Sequence, residues 1–182
     1  MATDPALALL KSGRLVQSIQ AVDLKRGWVR LVPAHCQERD MQIRSAMLDD
    51  AAAVGELMRE LGYELTDAKT ARRLEAVLAT GCDKVYLLVE GDDPLGLVAL
   101  RRAPALHRAL PIATITVLVV HAGARRRGAG RCMIEHATKW ARENGCCSVG
   151  LTTRISRTEA HAFYRAVGFE SKSVGFYRNL DD

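Results

Sequence analysis

The segment PIATITVLVVHAGARRRGAGRCMIEHATKWA, starting at Pro111, constrains the fold more than any other stretch. Ile112 to Val120 is a run of aliphatic and β-branched residues, the composition of a buried strand. From Met133 onward the text turns amphipathic with helical spacing. Met133, Ile134, Ala137 and Ala141 share one stripe, and Glu135, Lys139, Arg142 and Glu143 lie on the other. Between strand and helix stand Arg125, Arg126 and Arg127, then Gly128-Ala129-Gly130. A strand feeding a helix through a short loop is the unit of an α/β layer. The first N–H groups of a helix have no partner within it, and that end carries about half a positive charge. The loop is therefore an anion site before any side chain is added. Gly128 and Gly130 lack a Cβ, so a ligand can lie against the backbone, and either can take a positive φ. Arg125, Arg126 and Arg127 add formal charge, which suits a pyrophosphate. A Walker A loop would need Gly-Lys-Ser/Thr where Gly130-Arg131-Cys132 stand, and the dinucleotide fingerprint would need a glycine where Met133 stands. A solvated basic face with an ordinary glycine turn competes with the anion-site reading, and R-x-x-G-x-G alone does not separate the two.

The rest of the chain supplies context. MQIRSAM, from Met41, alternates like a strand, and Asp49-Asp50 stand where helix caps belong. AAAVGELMRELGY and AKTARRLEAVLAT read as amphipathic helices separated by YELTD. KVYLLVE and LGLVALRRA read as a hairpin across GDDP. After the helix that ends near Gly145, CCSVGLTT is a strand, RTEAHAFYRAVG a helix, and GFESKSVGFYRNL a closing hairpin or bent strand. Strands alternate with helices, yet the first hairpin is antiparallel. The expected fold is thus α/β, with a mixed, mostly antiparallel central sheet and helices on both faces. Residues 41–182 read as the functional domain. Residues 1–40 read as an extension of uncertain structure, in which RLVQSIQAV and GWVRLVP form two strands through DLKRG or a loosely attached tail.

The chain has 182 residues, 48% of them apolar, enough for one domain with a real core. Its net charge of +5 fits an anionic ligand but is too mild to demand nucleic acid. Cys36, Cys82, Cys132, Cys146 and Cys147 include no C-x-x-C pair, so reduced thiols in a cytoplasmic protein are expected, with neither a disulfide framework nor a zinc site. No targeting segment and no membrane span is evident.

At RRRGAG the chain resembles the GNAT superfamily of acetyl-CoA-dependent N-acetyltransferases, whose Q/R-x-x-G-x-G/A signature matches at Arg125, Gly128 and Gly130. RTEAHAFYRAVGF is similar to the family's A-x-x-F-Y-x-x-x-G-F segment, and the spacing between the two blocks fits. The resemblance implies that the family's fourth and fifth strands splay and that pantetheine inserts between them. Backbone groups of Leu118, Val119 and Val120 would meet the pantetheine arm, and Arg125, Arg126, Arg127, Gly128, Ala129, Gly130 and Arg131 would hold the pyrophosphate, mostly through N–H groups. It implies an N–H near Val120 as oxyanion donor, Tyr164 as the acid that protonates the CoA thiolate, and direct attack by a bound amine without an acyl-enzyme. Acetyl-CoA is then the co-substrate, with no metal.

The chain departs from that pattern in places. Thr116 and Val117 stand where many relatives carry an acid on the fourth strand, and Arg157 stands where many carry asparagine. Glu64, His121 or solvent remain as general base, unassigned. Tyr63 and Glu64, in the loop between the first two helices, would wall the acceptor site. The expected partner is a small-molecule or protein amine, with no nucleic acid and no membrane; a homodimer is left open. Two rivals stand beside the enzyme: an acetyl-CoA-binding sensor without turnover, and a nucleic-acid protein using the arginines. Tyr164 has its own competing reading, as one of several core residues with Phe163, Val167 and Phe169.

Overall fold

The computed structural model describes residues 19–23, 28–31 and 41–180. Two short strands, β1 (Ile19–Asp23) and β2 (Trp28–Leu31), pair antiparallel, as the DLKRG turn suggests. The domain proper runs β3 (Met41–Ser45), α1 (Ala51–Glu60), α2 (Asp67–Ala79), β4 (Asp83–Glu90), β5 (Asp93–Ala103), β6 (Ile112–Val120), α3 (Ala129–Glu143), β7 (Val149–Leu151) and α4 (Thr158–Ala166). Strands β3 to β7 form a five-stranded sheet in chain order. Neighbours from β3 to β6 are antiparallel, and β7 lies parallel to β6. The mixed sheet expected from the sequence is therefore present.

Period-two alternation sends each strand's side chains to two cores. Leu88, Val98 and Leu100 join Cys132, Met133, Ile134, Ala137 and Trp140 of α3 on one face. Leu87, Val89, Leu97 and Ala99 join Val54, Leu57 and Leu74 of α1 and α2 on the other. Gly96 admits α3 closely: a Cβ there would stand 2.8 Å from Met133 Cε and 2.8 Å from the Val119 carbonyl oxygen. Asp50 does not cap α1 with its side chain; its carboxylate takes two bonds of 2.7 Å from Arg44 on β3 and one of 2.8 Å from the Met47 N–H.

Two expectations are corrected. Residues 170–180 form no strand and are exposed, Phe176 by 94%, because nothing in the described sheet pairs with them. Cys132, on the buried side of α3, is disulfide-bonded, so among the described residues the reading of reduced thiols holds for Cys82, Cys146 and Cys147 and not for Cys132; Cys36 lies outside the described residues. Spacing along the chain carries no signal for which thiols the fold brings together.

The site is positioned by the way β6 leaves the sheet. It pairs with β7 only at Ala113↔Val149, Thr114↔Gly150 and Ile115↔Leu151. Beyond Ile115 no strand among the described residues lies beside its outer edge, while its inner edge stays bonded to β5 as far as Val120. The register slips where the two strands part: Ile115 faces Leu100 and Val117 faces Ala99, which leaves Thr116 as the extra residue of a bulge. The Thr116 hydroxyl bonds the Ala99 carbonyl at 3.3 Å.

Candidate active site

The open edge of β6 has a defined polarity. The His121 N–H donates to Leu95 O at 2.9 Å, toward β5. Backbone groups alternate along a strand, so Val119 also faces β5, consistent with its oxygen lying against Gly96. Leu118 and Val120 then present their N–H and C=O groups to the side that β7 has vacated. The three strand positions thus divide: Leu118 and Val120 have backbone groups to offer a guest strand, and those of Val119 are used within the sheet. The side chains divide the same way, Leu118 and Val120 toward the core under α3 and Val119 toward the core under α1 and α2.

Past Val120 the chain makes one 3₁₀ turn at Ala122–Ala124 and enters the arginine-glycine loop. Gly128 is the N-cap of α3 with φ +86° and ψ −3°, a left-handed conformation that L side chains rarely adopt. Arg126 also has a positive φ, 60°. Gly130 has an ordinary φ, and its missing Cβ serves packing: a Cβ there would lie 3.0 Å from Phe163 Cζ on α4. Of the two glycines, then, one is required by backbone conformation and the other by close approach of a neighbouring helix. Ala129 is buried at the first turn of α3, and Arg131 is exposed.

Two of the three arginines are already paired. Arg125 Nη2 donates to Glu60 Oε2 at 2.9 Å, and its Nε reaches the Val120 carbonyl at 3.4 Å. Arg127 Nη2 donates to Glu90 Oε1 at 2.6 Å. The sequence reading missed both carboxylates, which lie 65 and 37 positions from their partners. It could have flagged only that each acid ends an amphipathic element. His121 Nδ1 accepts the Gly123 N–H at 3.2 Å, and its Nε2 faces Glu60 Oε1 at 3.8 Å. Nδ1 is thus engaged within the loop itself, as expected of a loop histidine.

Tyr164 lies on α4, half-buried, its ring 5.3 Å from Phe163 and 5.9 Å from Phe169, and it packs against the core that Leu118 and Val120 also border. Burial pushes its phenol above the ordinary value, only partly opposed by the Arg157 charge, so the hydroxyl stays protonated at neutral pH. Ring packing and an available proton coexist in this residue. Tyr63 and Glu64 are exposed between α1 and α2, on the opposite face of the sheet from Tyr164. The residue of that region that reaches the arginine loop is Glu60. Among the described residues no cluster of His, Cys, Asp or Glu is placed to hold a metal ion, and no helix is long and apolar enough to cross a membrane.

Comparison with known proteins agrees with this geometry. Residues 51–169 match the model of the acetyltransferase (GNAT) family. The chain is 30% identical over 121 residues to the uncharacterized N-acetyltransferase YhdJ of Bacillus subtilis, covering 66% of this chain and 84% of the relative. It is 28% identical over 141 residues to the aminoglycoside N(6′)-acetyltransferase type 1 of Stenotrophomonas maltophilia, covering 75% of this chain and 91% of the relative. A solved structure from Agrobacterium tumefaciens, to which acetyltransferase activity is attributed, superposes with a TM-score of 0.71 at 30% identity over 76% of this chain and 99% of its own. The chain belongs to the GNAT acetyltransferase family, which uses acetyl-CoA, and is an N-acetyltransferase.

Proposed function

We propose that this protein transfers the acetyl group of acetyl-CoA directly to a primary amine, with Tyr164 as the acid that protonates the departing thiolate. The parting of β6 from β7 after Ile115 carries the reading, because it leaves the outward backbone groups of Leu118 and Val120 without a strand partner among the described residues, beside a helix N-terminus. In this reading the pantetheine amides pair with Leu118 and Val120 as a short guest strand. The N–H groups of the Arg125–Arg131 loop receive the pyrophosphate, helped by the left-handed turn at Gly128. The Val120 N–H polarises the thioester carbonyl. The amine nitrogen attacks that carbon, the C–S bond breaks, the Tyr164 hydroxyl gives its proton to sulfur, and the amine's proton passes to solvent. The loop of Tyr63 and Glu64 walls the acceptor, and its acid and ring favour a cationic small molecule of the kind named for the Stenotrophomonas relative.

The test is release of free thiol from acetyl-CoA with a panel of amines, followed by Tyr164→Phe on the best acceptor. Removing the hydroxyl keeps the packed ring, so the acetyl-CoA thermal shift should persist while the rate falls by roughly 10²–10⁴. An unchanged rate would remove the acid role. Binding without turnover on every amine would favour the sensor reading.

A further inference from the structure

Three consecutive arginines suggest a uniform patch of charge, but the structure gives them different work. Glu60 is the last residue of α1. Its Oε1 accepts the Ala122 N–H at 3.2 Å and faces His121 Nε2, and its Oε2 takes the Arg125 guanidinium. Arg125 in turn holds the Val120 carbonyl. One carboxylate, only 23% exposed, therefore holds both ends of the 3₁₀ turn that opens the β6–α3 connection. On the far side of Arg126, Glu90 of β4 holds Arg127. Arg126 stands between the two anchored residues, exposed, with a positive φ, and makes no hydrogen bond or ion pair among the described residues. A guanidinium bonded to a carboxylate has its charge partly neutralised and fewer N–H donors left for a phosphate, whereas one without such a bond keeps all five.

We infer that Glu60 is a positioning residue that sets Val120 and the phosphate loop through Arg125, and that Arg126 is the arginine of the three left to meet the anion. The inference rests on the loop being the pyrophosphate site. It also gives α1 a mechanical tie to the cofactor strand, since the same carboxylate that ends the helix fixes the residue whose N–H faces the thioester.

A binding cycle tests this, with acetyl-CoA affinity measured by calorimetry on the full chain. Arg125→Gln and Glu60→Ala should each weaken binding roughly tenfold, about the worth of one charge-assisted hydrogen bond. The double variant should be no worse than either single one, because both break the same link. Arg126→Gln should cost about the same factor in either background and should flatten the salt dependence of binding. If Glu60→Ala does not fold, Glu60→Gln serves in its place, since it keeps an acceptor for Ala122 but loses the ion pair. Additive losses at Arg125 and Glu60, or a silent Arg126→Gln, would overturn the assignment while leaving the site intact. A folded parent protein that binds no acetyl-CoA would instead remove the site and the assignment with it.

Discussion

Acid should destabilise this protein in a window set by one histidine. His136 lies on α3 with its ring edge-on to Tyr86, centroids 4.4 Å apart, and its Nε2 is buried without a hydrogen-bond partner. Burial lowers its pKa from 6.5 to about 4, and the Lys139 charge adds in the same direction. The unfolded chain takes up this proton near the ordinary value and the folded chain only near the lowered one. Between the two the unfolded state binds more protons, so stability is full above the ordinary value and declines as pH falls toward the folded one. The whole window corresponds to about 3 kcal/mol, of which about 2 kcal/mol is lost between roughly pH 7 and 5. The carboxyls of Asp50 and Asp83, held low mainly by their bonds from Arg44 and Arg101, lose their contribution only at more acid pH. The variant His136→Phe keeps a flat ring against Tyr86 and cannot titrate. Urea unfolding of both proteins at several pH values between 7 and 5 should show the parent losing about 2 kcal/mol more than the variant. Parallel curves would refute the reasoning, because they would mean that the buried ring accepts its proton in the folded state as easily as in the unfolded one.

Gly128→Val should abolish the acetyl-CoA thermal shift, and it should also cost about 1–2 kcal/mol, because the left-handed turn and not a steric neighbour excludes the side chain there; a melting curve with and without ligand checks both. Gly130→Ala should force Phe163 aside and cost about 1 kcal/mol or more, with kcat falling further than acetyl-CoA affinity, since Tyr164 is the next residue on α4; an unchanged melting temperature would contradict it. Shortened to begin at Met41, the chain should keep its fold and its ligand-induced thermal shift, as both described cores draw only on residues from Met41 onward.

Much of this architecture could be read before any coordinates. The β4–β5 hairpin announced itself through two apolar runs flanking Gly91-Asp92, and α3 through a stripe whose spacing matches a helical turn. Those signals are local, and local signals survive in sequence. The pairings of Arg125 with Glu60 and of Arg127 with Glu90 are products of tertiary folding, and nothing in the neighbourhood of either residue encodes them. The same holds for Gly130, whose constraint comes from Phe163 on another helix. The C-terminal segment failed for a different reason: SVGFYRNL has strand composition, but a strand also needs an edge to pair with, and composition does not report whether one is offered. Tyr164 is singled out by its motif alone, and the structure adds a half-buried ring whose phenol burial holds above its ordinary pKa.

The bulge at Thr116 has a consequence for how β6 can vary. Ala113 and Ile115 point into the core under α3, yet so do Leu118 and Val120, while Val117 and Val119 point the other way. Odd-numbered residues change faces at one position, so the strand is two combs joined out of phase by a single tooth. The first comb answers to β7 and the closure of the sheet, the second to the open edge. Deleting Thr116 would bring the combs into phase: Ile115, Val117, Leu118, Val119 and Val120 would alternate on the faces they already occupy and keep their partners on β5, and the strand would lose only the local bend that the bulge gives it where β7 leaves. Substitutions can accumulate on either comb without disturbing the other, whereas a residue added to or lost from within a comb would swap the faces of the side chains beyond it.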